Sequence, residues 1–179
     1  MDEPLVRFVE RIAEATPAPG GGSTAAVVVA MAAGLVEMAA RFSRSWDGAA
    51  EAVARAQQLR ERSLPLARLD AEAYEAVLRA TTDAERRAAL SDASAIPLEL
   101  AELGAEVAEL GAVVAERGNT SLRGDAAAGA ILGAAVTRIA ANLVAINLAG
   151  HPEDKRLEKG AALAAAAAAS AERAMTTTT

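Results

Sequence analysis

The sequence predicts an all-α fold, a bundle of about six helices in which some are kinked and neighbours run antiparallel. Hydrophobic residues make up 53% of the 179 residues, but aromatic residues only 2%. Alanine, the best helix former, supplies most of that apolar fraction, and β-branched strand formers are sparse. The breaks between helical segments are short, which favours antiparallel neighbours.

The first two helices are separated by a loop rich in proline and glycine. Residues 2–15 carry apolar side chains at helical spacing, with Pro4 in a first-turn position. Residues 16–22, TPAPGGG, break that helix, and Ser23 or Thr24 can cap the next one. The second helix, 23–45, has no charge between residues 25 and 36, a stretch too short to span a bilayer. It is therefore predicted to be the central buried helix.

Four further helical segments complete the chain. Residues 49–80 form the third, interrupted near Pro65, and residues 83–117 the fourth, kinked at Pro97 because proline removes a backbone donor. Residues 121–149 form a second strongly apolar helix, and residues 153–175 the last. There is no repeat and no long linker, so residues 1–179 are predicted to be a single domain.

Charge and cysteine content exclude several kinds of function. The net charge of −6 lacks the concentrated basic face that nucleic acid requires. The chain has no cysteine, which excludes disulfides, thiolate catalysis and sulfur-ligated metal sites. The segment MDEPLVRF is acidic and has no apolar signal region. A cytoplasmic enzyme or binding protein, without nucleic acid or membrane partners, is expected.

The glycine loop is the first candidate binding element. Gly20, Gly21, Gly22 and Ser23 lie where a helix begins, and the helix N-terminal N–H groups can hold a carboxylate, a phosphate or a carbonyl. The alternative is a purely structural connector, since glycines also permit tight turns. The loop is neither a P-loop nor a dinucleotide-binding fingerprint, because GxxxxGK[ST] and a preceding strand are both missing.

Asp70 is a candidate proton-transfer group. Asp70 and Tyr74 are four residues apart in DAEAY and so share one helix face, whereas Glu72 points elsewhere. A carboxyl group beside an aromatic ring and apolar residues has a raised pKa and can move protons near neutral pH. The alternative is an ordinary solvated carboxylate.

Polar residues of two later segments are further candidates. In GNTSLRGD, residues 118–125, Asn119, Ser121 and Asp125 can cap a helix or bind a polar heterocycle. Asn142 and Asn147 lie in an apolar segment, where buried amides need partners in another helix or in a site. The one histidine, at position 151, is expected in a surface turn, and no metal site is expected.

Taken together, these segments resemble the formiminotransferase-cyclodeaminase family, which includes stand-alone methenyltetrahydrofolate cyclohydrolases. The matching stretches follow the family's order over nearly the whole chain: TPAPGGGS at 16–23, DAEAY at 70–74, IP at 96–97, GNTS at 118–121 with the trailing Asp125, and NLVAINL at 142–148.

The resemblance implies an all-α dimer that acts on one-carbon derivatives of tetrahydrofolate and needs no other cofactor. It implicates Asp70 as the acid–base group and Asn119, Asp125 and Asn147 in the folate pocket. Two reactions stay open, cyclodeamination of 5-formimidoyltetrahydrofolate and hydrolysis of 5,10-methenyltetrahydrofolate. The alternative from another functional class is a binding module, a non-catalytic helical protein that binds folate or a partner protein.

The two most apolar helices also predict self-association. Helices 23–45 and 121–149 carry more apolar surface than one small bundle needs to bury. A homodimer with alanine-rich helices packed across its interface is therefore expected.

Overall fold

The computed structural model describes residues 4–177, which form helices and connections without a β-strand. The all-α prediction is thus confirmed. The helices of this region are α1 (Leu5–Ile12), α2 (Gly21–Arg41), α3 (Ala49–Ser63), α4 (Leu66–Arg79), α5 (Asp83–Ala93), α6 (Ala95–Arg117), a 3-10 turn (Thr120–Leu122), α7 (Arg123–Asn147) and α8 (Lys155–Thr176).

Helices α2, α6 and α7 form the centre of the bundle. α6 packs against α2, α3, α7 and α8, while α3 lies beside α2 and α8 beside α7. α2 and α7 are antiparallel, because Gly21 at the start of α2 lies near Leu143 and Gly129 of α7 lies against Val36. The start of α2 and the end of α7 therefore meet at one end of the bundle, where α4 also contacts α2.

The interruption of the fourth predicted helix lies earlier than expected. α5 ends at Ala93 and α6 begins at Ala95, so the chain breaks at Ser94 and the predicted kink at Pro97 is wrong. Pro97 instead occupies the first turn of α6. A proline is tolerated there because the first N–H groups of a helix have no intrahelical acceptor.

The start of α2 also differs from the prediction. The helix begins at Gly21, with Gly20 as its N-cap and no side-chain cap, so the expected capping by Ser23 or Thr24 is wrong. Gly21 and Gly22 are part of the first turn rather than of a flexible loop. At the N-terminus Pro4 is the N-cap of α1, which ends at Ile12 and not at residue 15 as predicted, and residues 2–3 of the predicted segment lie outside the described residues.

Glycines bring α6 and α7 into backbone contact. A methyl group on Gly133 would lie 2.7 Å from the Gly104 carbonyl oxygen and 2.8 Å from the Ala108 nitrogen. A methyl group on Gly104 would lie 2.7 Å from Thr137 Oγ1. Such close approach is how helices with small side chains achieve dense packing.

Gly133→Ala is therefore expected to destabilise the fold by about 1–3 kcal/mol, the usual cost of overpacking a tight core. Gly124→Ala is the matched control on the same helix, because a methyl group there meets nothing within 4 Å. The control should be neutral or slightly stabilising, since alanine is the better helix former. Urea unfolding of both variants measures the difference, and equal midpoints would show that the α6–α7 contact is not tight.

The two apolar helices are buried to different extents. α2 and the segment from Thr120 to Asn147 are long and apolar enough to cross a bilayer, and 67% of the apolar window of α2 is buried in the bundle. Only 39% of the corresponding window of the second segment is buried. An apolar face of α7 thus lies on the surface of the protomer.

Candidate active site

Asp70 of α4 packs directly against the first turn of α2. Its Oδ2 accepts a hydrogen bond from Ser23 Oγ at 3.0 Å, and the same hydroxyl lies 2.8 Å from the Ala67 carbonyl oxygen. A methyl group on Gly22 would lie only 2.0 Å from Asp70 Oδ1. The carboxyl group therefore packs directly against the backbone of Gly22. Any larger residue at position 22 would displace the Asp70 side chain.

The surroundings of Asp70 act on its pKa in opposite directions. Burial disfavours the charged form and raises the pKa, while hydrogen bonds from the Ser23 side chain and backbone favour the charged form and lower it. Burial is the larger effect, so the pKa of Asp70 lies above the ordinary value of 3.8. A carboxyl group of this kind can both accept and donate a proton.

Asp70 opens into a cavity of about 240 Å³ at the end of the bundle where α2 begins and α7 ends. The glycine segment, α4, the first turn of α6 and the last turns of α7 supply its walls. The lining residues are Pro17, Ala18, Gly20, Gly21, Gly22, Asp70, Ala71, Tyr74, Pro97, Leu143, Ile146 and Asn147.

Most of the site residues predicted from sequence come together here. The three glycines, Tyr74 and Asn147 line the cavity beside Asp70, while Ser23 is fully buried behind the carboxyl group. Asn142, in contrast, is exposed, so its prediction as a buried amide is wrong. Sequence reasoning missed Leu143 and Ile146, which look like ordinary core residues of an apolar helix.

Asn119, Ser121 and Asp125 lie at the opposite end of α2. The Asn119 N–H donates to Ser43 Oγ at 2.8 Å, and its side-chain amide donates to the Phe42 carbonyl oxygen at 3.1 Å. Asn119 Oδ1 accepts from the Ser121 N–H at 3.0 Å. Since α2 has 21 residues and rises about 1.5 Å per residue, this turn is roughly 30 Å from Asp70. Within one protomer these three residues do not join the Asp70 cavity.

A second, more open hollow lies at that opposite end, with a volume of about 720 Å³. We call it the turn hollow; it is lined by Phe42, Arg44, Ser45, Gly118, Asn119 and Thr120. It combines a cation, an exposed aromatic ring and polar backbone, but it contains no carboxyl group.

Residues 4–177 give little support for a metal centre or for a site built on histidine. No group of three or more His, Cys, Asp or Glu residues in this part of the chain could hold a metal ion. His151 is exposed, as expected from its turn. Asp70 is the carboxyl group of the cavity, and the glycine backbone and Asn147 beside it can hydrogen-bond a polar ligand.

Comparisons with known proteins identify the family of the chain. The sequence profile of the formiminotransferase-cyclodeaminase family matches residues 4–167. A methenyltetrahydrofolate cyclohydrolase from Methylorubrum extorquens is 32% identical over 168 residues, covering 83% of this chain and 81% of that protein. The crystal structure of formiminotetrahydrofolate cyclodeaminase from Thermotoga maritima is 29% identical, with a TM-score of 0.90 over 98% of this chain and 96% of that chain. The chain belongs to the formiminotransferase-cyclodeaminase family.

Proposed function

We propose that this protein is a one-carbon folate enzyme in which Asp70 is the general acid and base. The observation that carries the proposal is the half-buried Asp70 carboxyl group, which has a raised pKa and faces a cavity. A positioned acid–base group typically contributes about 10²–10⁴-fold to a rate. The two similar proteins are named for two reactions of this class.

In cyclodeamination, N10 of 5-formimidoyltetrahydrofolate attacks the one-carbon centre and forms the new N10–C bond. Asp70 takes the proton from N10 and delivers it to the nitrogen of the protonated formimidoyl group, which then leaves as ammonia when its C–N bond breaks. The product is 5,10-methenyltetrahydrofolate. The ring closure also requires that N5 and N10 are held in the reacting geometry, which the cavity walls would provide.

In cyclohydrolysis, water adds to the one-carbon centre of 5,10-methenyltetrahydrofolate while Asp70 accepts its proton. The bond from N5 to that carbon then breaks as N5 takes the proton held by Asp70, the hydroxyl group of the adduct releases its proton to solvent and becomes the formyl C=O, and 10-formyltetrahydrofolate is the product. Both reactions need one carboxyl group that alternates between acid and base, and neither needs a cofactor beyond the folate substrate.

Supplying both substrates to the purified protein tests this proposal. Formation of methenyl absorbance together with ammonia identifies a cyclodeaminase, and loss of methenyl absorbance above the uncatalysed rate identifies a cyclohydrolase. Folate binding without either reaction would instead support the non-catalytic alternative. Absence of both binding and turnover would refute the folate assignment.

Ser23→Ala is expected to move the pH dependence of turnover. The Ser23 hydroxyl favours the ionised form of Asp70, so its removal raises the pKa of Asp70 further. The low-pH limb of kcat/KM, which reports ionisation of the base, should shift to higher pH. Ser63→Ala is the control, because Ser63 is also buried and its hydroxyl bonds a backbone carbonyl on α3. An unchanged limb in Ser23→Ala would show that another group is the base.

We also propose that the protein is a cytoplasmic homodimer without nucleic acid or membrane partners. The uncovered apolar face of α7 supports the dimer, because a monomer would leave it in water. Light scattering at micromolar concentration should give twice the mass of the 18.2 kDa chain. A monomer mass under these conditions would refute this part of the proposal.

A further inference from the structure

The Ser23 hydroxyl lies between two acceptors but carries one hydrogen. Its Oγ is 2.8 Å from the Ala67 carbonyl oxygen and 3.0 Å from Asp70 Oδ2. Ser23 is fully buried, so bulk water does not compete for the hydroxyl. Because a hydroxyl group has a single O–H to donate, Ser23 can donate to only one of the two acceptors at any moment.

This arrangement differs from that of four other buried hydroxyl groups. Each of these donates to a carbonyl oxygen three or four residues earlier in the chain; they belong to Ser43, Ser63, Ser94 and Thr137. Ser23 instead reaches across from α2 to α4. Its hydrogen bond is therefore part of the Asp70 site and not a local helix contact.

The Ala67 carbonyl oxygen does not depend on Ser23 for a partner. It lies within α4, where the N–H four residues later is its helical donor. A carbonyl oxygen has two lone pairs, so it can also accept a second hydrogen bond. The Ser23 hydroxyl can therefore turn away from Ala67 without leaving a buried group unpaired.

The protonation state of Asp70 decides which acceptor is preferred. The ionised carboxylate is a charged acceptor, and charge-assisted hydrogen bonds are about twice as strong as neutral ones. Once protonated, the carboxyl group loses that advantage and gains an O–H to donate. Ser23 Oγ can accept this O–H only when its own hydrogen points to Ala67, and the resulting chain of two hydrogen bonds satisfies all three groups.

We infer that Ser23 is a positioning residue whose hydroxyl reverses when Asp70 takes up or releases a proton. It donates to Oδ2 of the ionised carboxyl group and to the Ala67 carbonyl oxygen when Asp70 is neutral. Only the hydroxyl hydrogen rotates, and no proton leaves Ser23. The carboxyl group thus keeps its place in both halves of a reaction in which it is first base and then acid.

The other groups around Asp70 do not offer a competing ion pair. Of the described residues that line the cavity, the titratable ones are Asp70 and Tyr74, and those from α2, α6 and α7 carry no charge. Burial raises the pKa of Asp70, and the hydrogen bonds from Ser23 lower it. The lowering agrees with a stronger bond to the ionised form than to the neutral form.

Ser170 on α8 provides a matched comparison. Its Oγ also lies between a carboxylate and a carbonyl, 2.7 Å from Glu109 Oε2 and 3.1 Å from the Ala166 carbonyl oxygen. The Ser170 hydrogen bond outweighs burial and, together with Arg173, holds the pKa of Glu109 below its ordinary value of 4.5. Glu109 therefore stays ionised near neutral pH, so Ser170 has no reason to change its acceptor there.

The carbonyl carbon of Ala67 reports where the Ser23 hydrogen points. In a pH series of HNCO spectra of the free protein, its resonance should move with the titration midpoint of Asp70. Most of that movement should be lost in Ser23→Ala, although Asp70 still titrates nearby, and it should be retained in Ser170→Ala. Asp70→Asn should abolish it. An Ala67 resonance that does not move in the wild type, or that moves equally in Ser23→Ala, would overturn the inference.

Ser23→Cys keeps the test decisive if Ser23→Ala does not fold. A thiol has a similar shape but is a weaker donor than a hydroxyl. The pH-dependent movement of the Ala67 resonance should therefore shrink in this variant. Movement of the full wild-type size would show that the hydroxyl of Ser23 does not cause it.

Turnover tests the positioning role, which rests on the proposed acid–base function. On the pH plateau, Ser23→Ala is expected to lower kcat about fivefold, the ordinary effect of one lost hydrogen bond. KM should stay close to that of the wild type because Ser23 lies behind the carboxyl group, and Ser170→Ala should keep the wild-type kcat. An unchanged kcat in Ser23→Ala would contradict the positioning role. Failure of the wild type to turn over either folate would refute the proposed function and leave the Ala67 titration to decide whether the hydroxyl reverses.

Discussion

Replacing Asp70 with asparagine is expected to lower turnover of the folate substrate by at least about a hundredfold, the lower range for loss of a general acid–base group. Asparagine keeps the shape of the side chain, and its carbonyl oxygen can still accept the hydrogen bond from Ser23. Substrate affinity should change much less, because the cavity walls supply the other contacts. Steady-state kinetics and equilibrium folate binding separate the two quantities.

The same substitution is expected to stabilise the folded protein at neutral pH. Because the folded-state pKa of Asp70 is raised above 3.8, its stabilising contribution is complete below that pH and is lost as the pH rises through the folded-state value. Near pH 7 the ionised carboxyl group therefore costs the folded state free energy, and Asp70→Asn removes that cost. The Tm of the variant should exceed that of the wild type near pH 7, and the difference should shrink towards pH 4.

Glu72→Gln is the matched control on the same helix. Glu72 is exposed and forms its ion pair with Arg68, so its loss should leave both turnover and Tm close to the wild type. If Asp70→Asn retains near-normal turnover on both folate substrates while circular dichroism shows an intact fold, Asp70 is not the acid–base group. Asp125 would then be the next residue to test.

Gly22→Ala is expected to reduce turnover by about a hundredfold, even though the added group is a single methyl. That methyl would lie 2.0 Å from Asp70 Oδ1 and 2.5 Å from its Cγ, so the carboxyl group has to move. A displacement of about 1 Å from the reacting geometry can cost this much rate. Alanine itself is a better helix former than glycine, so local propensity does not oppose the substitution.

Gly34→Ala on the same helix is the control for this effect. Its methyl would meet the Arg60 side chain at an ordinary 3.9 Å. Turnover of the control should stay near the wild type, and its helix content should be at least as high. Equal turnover of Gly22→Ala and Gly34→Ala would mean that the Asp70–Gly22 contact does not position the carboxyl group.

The fold was largely predictable because its helices follow local rules. The spacing of apolar residues and the break near Pro65 predict the positions of most helices, since each of these signals depends on a few neighbouring residues. The prediction placed the break between α5 and α6 at Pro97 and not at Ser94. A proline can either kink a helix or lie in its first turn, and only packing selects between the two. The start of α2 was misplaced for a similar reason. Three consecutive glycines predict a loop, whereas Gly21 and Gly22 lie in the first turn of α2, where Gly22 packs against Asp70.

The candidate site was predictable as a set of residues but not as an arrangement. Helical spacing placed Asp70 and Tyr74 on one face, and both line the cavity. No local signal shows that Gly22 and Asp70, far apart in the chain, are in contact. Nor does the sequence show that Asn119 binds the far end of α2 through Ser43 and Phe42. Such long-range contacts depend on how the helices assemble, which periodicity does not encode.

Titration of Asp70 by carbon-13 NMR of its carboxyl group tests the central claim most directly. The signal can be assigned by its absence in Asp70→Asn. We predict a titration midpoint above 3.8 in the free protein and a change in that midpoint when 5-formyltetrahydrofolate, a stable folate derivative, is added. A midpoint at or below 3.8 that the folate leaves unchanged would contradict both the raised pKa and the position of Asp70 at the folate site.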